Sequence, residues 1–333
     1  PNVVNDAAGP WGGVNPPPNA GAVFDPPINV ANPPRVSLIV KKDNAGRWMD
    51  DNGGDWTTMV SGPAQPGDTV NRSGRVPGWD LYDHDLAFID ASTLEVYYAR
   101  TLMNMCMAVG LNPATGAVTV VGTDGINEVR FEPNVNGTFL RVLAANVADR
   151  ASPGDEPTVV WNVDLNHHLA AAGYSTSQLP QAQRDLALGD PRSIVWNNAG
   201  EVGYVAGMGS NNVLVIDDTG AREQGMGPAL IEVGQGPTGL AIDEPRSRLY
   251  VLNRFDATIT TVDTSSRAAV ATTAFFDPTP PVIKLGRPHL YDTHRTSGLG
   301  HTACASCHVD ARFDRLAWDL GDPSGVSIAV SST

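Results

Sequence analysis

The sequence predicts a mainly β fold of the β-propeller type, followed by a short, mostly helical or looped C-terminal segment. Three observations carry this. Glycine and proline supply 34 and 26 of the 333 residues, a turn-rich composition that favours many short strands over long helices. Short apolar runs recur in a fixed order: Ser193-Ile194-Val195-Trp196-Asn197, then Tyr204-Val205-Ala206, then Val213-Leu214-Val215-Ile216-Asp217. The same order returns 46 positions later, with Tyr250 in the place of Tyr204, Val251 of Val205 and Asp263 of Asp217. A period in the forties built from short strands and turns is the signature of propeller blades.

Taken in order, residues 1–34 read as a Pro-rich extended arm. Pro16-Pro17-Pro18, Pro26-Pro27 and Pro33-Pro34 cannot sit inside a sheet. Residues 35–281 read as the propeller. Its first strand is Val36-Ser37-Leu38-Ile39-Val40, and from there to about residue 80 a long decorated loop carries Trp48, Trp56 and Trp79. A fainter copy of the repeat sets Gly116 on Gly200 and Val118 on Val202. Fragments of a closing strand appear at 86–90 and 160–164, giving about five readable blade-like units. Asp277-Pro278-Thr279-Pro280-Pro281 ends the alternating pattern, and residues 282–333 form a separate segment.

Composition narrows the partners. The formal net charge of −14 argues against nucleic acid, which requires basic surface to displace counterions from phosphate. No run of eighteen apolar residues offers a membrane span, and no charged-then-apolar leader stands at Pro1. Cys106, within Leu102-Met103-Asn104-Met105-Cys106-Met107, reads as a buried small hydrophobe.

The chemistry lies in Cys304-Ala305-Ser306-Cys307-His308. Cys-x-x-Cys-His is the attachment pattern of a c-type haem: Cys304 and Cys307 form thioethers to the porphyrin, and His308 is the proximal iron ligand. Zinc would need two further ligands, and the third cysteine, Cys106, is about two hundred positions upstream. Haem c is attached outside the cytoplasm, so the motif implies a bacterial periplasmic, extracellular or cell-surface protein.

Two resemblances extend this reading. The Leu-Ala-Ile-Asp…Arg-Leu-Tyr-Val-Leu-Asn…Val-Asp-Thr pattern, clearest over 191–276, resembles the YVTN-type family of seven-bladed propellers. Gly286-Arg287-Pro288-His289-Leu290-Tyr291-Asp292 and the following Ser297, leading into the haem motif, resemble the first-haem entry of di-haem cytochrome c peroxidases and their MauG-like relatives. That resemblance implies electron transfer, with peroxide reduction if a second haem is present. It departs from the family in two ways: no second Cys-x-x-Cys-His and no later histidine follow in the 25 residues after His308. The chain therefore reads as part of a longer di-haem protein or as a mono-haem relative. Its implied partners are a redox protein or a further haem domain, and a homo-oligomer or complex could cover the haem.

His294, Met208 and His301 are the candidate sixth ligands of the iron, beside an empty sixth site. Near an empty site Arg295, Arg312 or Arg315 could polarise a bound peroxide, although arginine beside haem more commonly pairs with propionates. Trp79-Asp80-Leu81-Tyr82-Asp83-His84-Asp85 could hold copper through His84 or calcium through its carboxylates, or simply form a blade-entry turn. His167-His168 reads as a strand end with its two rings on opposite sides. The principal alternative to a redox enzyme is a binding or assembly module in which the haem is only an electron relay. A further alternative is a copper- or calcium-binding surface protein.

Overall fold

The computed structural model describes residues 2–5, 37–50, 54–64, 66, 74–125, 140–171, 174, 178–223, 227–312, 317–318 and 328–329. Strands β1 (Asn2–Asn5), β2 (Ser37–Lys42) and β3 (Trp48–Asp50) form one antiparallel sheet, in which Asn2 lies opposite Val40. The arm thus contributes an edge strand between Pro1 and Pro10, while its prolines lie outside the described residues. Helix α1 (Thr57–Val60) follows, and Val40, Trp48, Trp56 and Val60 build a small core closed by Leu81. The stretch expected to be a decorated loop therefore contains a strand, a helix and two fully buried tryptophans. Trp48 can be buried because its Nε1–H donates to Asp80 Oδ1 at 2.6 Å, which leaves no indole donor unsatisfied.

Strands β4 (Leu86–Ile89) and β5 (Val96–Ala99) pair as a hairpin. Three four-stranded antiparallel meanders come next, each with its strands in chain order. The first is β6 (Met105–Leu111), β7 (Val118–Gly125), β8 (Leu140–Ala148) and β9 (Thr158–Asp164). Two short helices, α2 (His167–Ala171) and α3 (Gln181–Arg184), lead to the second: β10 (Pro191–Trp196), β11 (Val202–Gly207), β12 (Asn212–Asp217) and β13 (Leu230–Glu232). The third is β14 (Pro237–Asp243), β15 (Arg248–Asn253), β16 (Thr258–Asp263) and β17 (Ala268–Ala274). Helices α4 (Pro281–Tyr291), α5 (Thr293–Thr296) and α6 (Cys304–Cys307) follow, and β18 (Ala317–Trp318) pairs with β19 (Ile328–Ala329).

The repeat is structural. Strands β10, β11 and β12 start at Pro191, Val202 and Asn212, and β14, β15 and β16 start 46 positions later at Pro237, Arg248 and Thr258. Both first strand pairs carry an irregularity at the same place, between Pro191 and Ser193 and between Pro237 and Gly239. One sequence expectation is corrected: 160–164 is β9, the outer strand of the first meander, and not a unit of its own. The period is stretched there by the long β7–β8 connection and by the β9–β10 connection that holds α2 and α3. The described strands thus give three complete blade-like sheets, with the β4–β5 hairpin and the β1–β3 sheet ahead of them.

Burial explains the stacking. Side chains alternate across a strand, so a sheet covered on both sides has two apolar faces. In β12, Leu214 and Ile216 join Val121, Val142, Ile194 and Trp196 between the first and second meanders. Val213 and Val215 join Tyr204, Leu249, Val251 and Val262 between the second and third. The first meander uses Val120, Leu143, Ala145 and Val147 to cover Ala99, Leu102 and Met103 beside the β4–β5 hairpin. The first strand of the second meander, β10, lies against both β6 and β14, so the three sheets are adjacent along their first strands. Polar ties fix the fan: Asn112 Nδ2 donates to Gly200 O at 2.9 Å, and Trp196 Nε1 to Thr119 Oγ1 at 3.1 Å.

Gly200 tests this packing. Its φ is +71°, and a Cβ there would lie 2.2 Å from Asn112 Oδ1 in the neighbouring sheet. Gly200→Ala should lower unfolding stability by about 2 kcal/mol, from left-handed backbone strain plus displacement of the Asn112 tie. Chemical denaturation of the two proteins checks this, with Gly116→Ala as a comparison, since no atom lies within 4 Å of a Cβ at that left-handed glycine.

Candidate functional site

In a four-stranded meander, strands one and three run opposite to strands two and four. The turns between strands two and three therefore lie at the same end as the connections from one sheet to the next. Strand β17 also finishes at that end, so the C-terminal segment emerges where β9–β10, β11–β12 and β15–β16 make their connections. The segment lies across this end as a cap.

Backbone contacts seat it. Thr293 N donates to Gly209 O at 2.9 Å, and Thr293 is fully buried. A Cβ on Gly189 would meet Thr293 Oγ1 at 2.5 Å, and one on Gly209 would meet Thr293 Cγ2 at 2.7 Å; glycine permits the approach at both places. Arg184, at the end of α3, donates through Nη1 to His294 O at 3.0 Å and to Ser297 O at 3.3 Å. Leu179 N donates to Gly298 O at 2.9 Å, and Leu299 packs with Leu169, Tyr174 and Leu179. Arg287 Nη1 donates to Phe255 O at 2.9 Å, and the Phe255 and Tyr291 rings lie 4.8 Å apart.

The haem-motif residues form the short helix α6. Ala303 N donates to Ser306 Oγ at 2.9 Å and His308 N to Cys304 O at 2.9 Å, which closes the turn. Ala305 and Ser306 face inward, whereas Cys304 is exposed and Cys307 half-buried, with no disulfide between them. His308 is half-buried, and its Nδ1 lies 3.0 Å from Arg312 O. Asp310, two residues on, is 3.5 Å from Arg192 Nη1; the same guanidinium pairs with the buried Asp190 at 3.0 Å. Burial pushes the Asp190 carboxyl above its ordinary range, with Arg192 opposing the shift.

The candidate sixth ligands all engage the sheets. His294 Nε2 is 2.9 Å from Ala187 O, and its Nδ1 is 3.7 Å from Asp185. Met208 is buried beside Phe255, Arg287, Pro288 and Tyr291 in a small cleft between the β11–β12 turn and α4. His301 is 3% exposed, its Nε2 is 2.9 Å from Leu140 O, and its buried Nδ1 has no hydrogen-bond partner. Of the arginines considered for peroxide, Arg295 and Arg312 are exposed, and Arg315 lies outside the described residues.

The other sequence-flagged residues are placed as follows. His84 stacks on Tyr98 at 3.8 Å. The carboxylates around it receive protein donors: Asp80 from Trp48 and Leu81, Asp83 from Thr101 at 3.2 Å, and Asp85 from Leu102 N at 2.7 Å. His167 and His168 open helix α2, which corrects the expected strand end. The cause is an Asp turn, in which Asn166 N donates to Asp164 Oδ1 at 2.8 Å and starts the chain winding. His168 is pulled down to about 4, first by burial and then by the nearby charge of Arg222. Cys106 packs on the Ala99–Leu102–Met103 core as expected, and burial pushes its thiol up to about 12.

Sequence reading missed Thr293, Arg184, Arg192 and Arg287 as the residues that seat the cap. Gly207-Met208-Gly209 was the available signal, since glycine in a blade turn marks close approach of another chain segment.

No protein-family model and no curated protein matches this chain. Among solved structures it is similar to Kuenenia stuttgartiensis hydrazine synthase, with 15% identity, 58% of this chain and 41% of that chain covered, and a TM-score of 0.34. Similarity to the Pseudomonas aeruginosa periplasmic gluconolactonase PpgL has 14% identity, 58% and 50% coverage, and a TM-score of 0.38. For apo AztD from Citrobacter koseri the values are 9%, 59% and 45%, and 0.31. The matches span half or less of each of those chains, and the fold description rests on the strand pairing above. Among the described residues no helix is long and apolar enough to cross a membrane.

His301 predicts a pH dependence of the docked cap. Its carbonyl-bound Nε2 carries the proton, and burial lowers the ring to about 4 against an ordinary 6.5. The folded state therefore binds this proton less readily than the unfolded chain. The contribution is complete above pH 6.5 and is lost as pH falls from 6.5 toward 4, by on the order of 3 kcal/mol. Denaturation midpoints measured at steps across this window should fall in the native protein and fall less steeply in His301→Asn.

Proposed function

We propose that this chain is an exported c-type cytochrome, in which a β-propeller scaffold carries a haem c on its C-terminal cap and the reaction is one-electron transfer. The observation that carries the reading is the His308 ring. A carbonyl oxygen only accepts, so the 3.0 Å contact with Arg312 O puts the proton on Nδ1 and leaves the Nε2 lone pair for a metal. A second partner that fixes tautomer and ring direction is what a metal-bound histidine requires.

The thiols support the same reading. Exposed Cys304 and half-buried Cys307 sit one helical turn apart beside that imidazole, where they can form thioethers to one porphyrin edge. When bound, the haem supplies a reversible one-electron couple. The chain's own residues hold its attachment site in place: Arg192 through Asp310, Arg184 through the His294 and Ser297 carbonyls, and Thr293 against Gly189 and Gly209.

One haem suffices for electron transfer. The peroxide reduction implied by the di-haem resemblance needs a second haem motif, which this sequence does not contain. Covalent haem attachment outside the cytoplasm makes a periplasmic or surface location part of the proposal, with another redox protein as partner.

Expression with export and haem c maturation provides the test. The native chain should carry one covalent haem, seen in its intact mass and in the pyridine haemochrome spectrum after denaturation. The Cys304→Ala, Cys307→Ala double variant should lose it completely, while Cys106→Ala should keep it. A native chain without covalent haem, or a double variant that retains it, overturns the reading.

A further inference from the structure

Helix α4 has two unlike faces. On one, Lys284 pairs with Asp277 at 2.6 Å, Arg287 reaches Phe255 O and Thr279 Oγ1, and Tyr291 lies on Phe255. On the other, the helical repeat aligns Val282, Leu285, Gly286 and His289 in one stripe. Val282 is 72% and Leu285 77% exposed, and a Cβ on Gly286 would meet nothing within 4 Å. None of the eleven residues of α4 is buried. The helix also packs against α6, which carries Cys304 and Cys307.

We infer that this outward stripe of α4 is the wall against which the porphyrin lies. The inference rests on the haem reading above and adds the surface that shields the ring. A haem tethered at α6 cannot leave this neighbourhood, and its apolar face is as costly to leave in water as Val282 and Leu285 are. Apposition removes both. Gly286 leaves a flat place in the middle of the stripe, so the ring can approach the helix backbone without meeting a side chain. The other face is already engaged with Asp277, Thr279 and Phe255, which leaves the outward face as the surface α4 can offer.

The matured, full-length chain provides the test, through Leu285→Asp, Val282→Asp and the conservative Leu285→Met. Covalent haem should be retained in all three, because the thioethers and His308 are untouched. In the two Asp variants the haem should become more accessible, with affinity for added imidazole rising at least tenfold and the reduction potential shifting. Leu285→Met should stay near the native values. Val109→Asp, an exposed apolar position on β6, controls for the added charge. Asp variants that match the native chain in both readouts overturn the inference while leaving the haem reading intact. So does loss of a native dimer in those variants with an unchanged haem spectrum, since the stripe would then be a contact between copies. A native chain without covalent haem removes the functional reading itself.

Discussion

Everything in this molecule depends on the requirement that a β-sheet with two apolar faces be covered on both. The second meander meets it by burying Leu214 and Ile216 against one neighbour and Val213 and Val215 against the other. Once sheets stack with their first strands adjacent, their turns sort automatically into two ends. The cap needs no dedicated domain interface. It settles onto the end where β17 releases the chain and where the β9–β10, β11–β12 and β15–β16 connections already lie.

The contacts of the cap differ in kind from those between sheets. Between sheets they are mostly apolar and large in area. Under the cap they are mostly hydrogen bonds to backbone carbonyls, from Arg184, Arg287, His294 and His301, with glycines admitting Thr293. Such contacts fix position with little burial. The result is a fixed position for α6 on a segment that has little core of its own.

The sequence revealed the repeat because its signal is local. Tyr204 and Tyr250, or Asp217 and Asp263, occupy equivalent strand positions, and the alternation around them is set by covered faces. It found β9 as a closing strand but counted it as a further unit, because the connections around that sheet are longer and move its strands off the common offset. The Cys-x-x-Cys-His pattern stands out in the sequence for the opposite reason, since the chemistry proposed for it needs fixed residue types at fixed short spacing. What seats it was not legible. Arg184 and Thr293 are ordinary residues until the fold brings distant positions, His294 for the one and Gly209 for the other, into hydrogen-bond range. The histidines at 294 and 301 are candidate iron ligands in the sequence, and in the fold their Nε2 atoms lie 2.9 Å from Ala187 O and Leu140 O.

The third cysteine bears on the attachment chemistry proposed for the other two. With burial pushing its thiol up to about 12, Cys106 holds very little thiolate at neutral pH. Thiol–disulfide exchange proceeds through the thiolate, so Cys106 is a very slow attacker of any disulfide formed elsewhere in the chain. In an oxidising compartment the Cys304–Cys307 pair can pass through oxidised and reduced forms without being scrambled into the β-sheet core. Burial of one ordinary side chain in β6 thus keeps this thiol out of the chemistry proposed for Cys304 and Cys307.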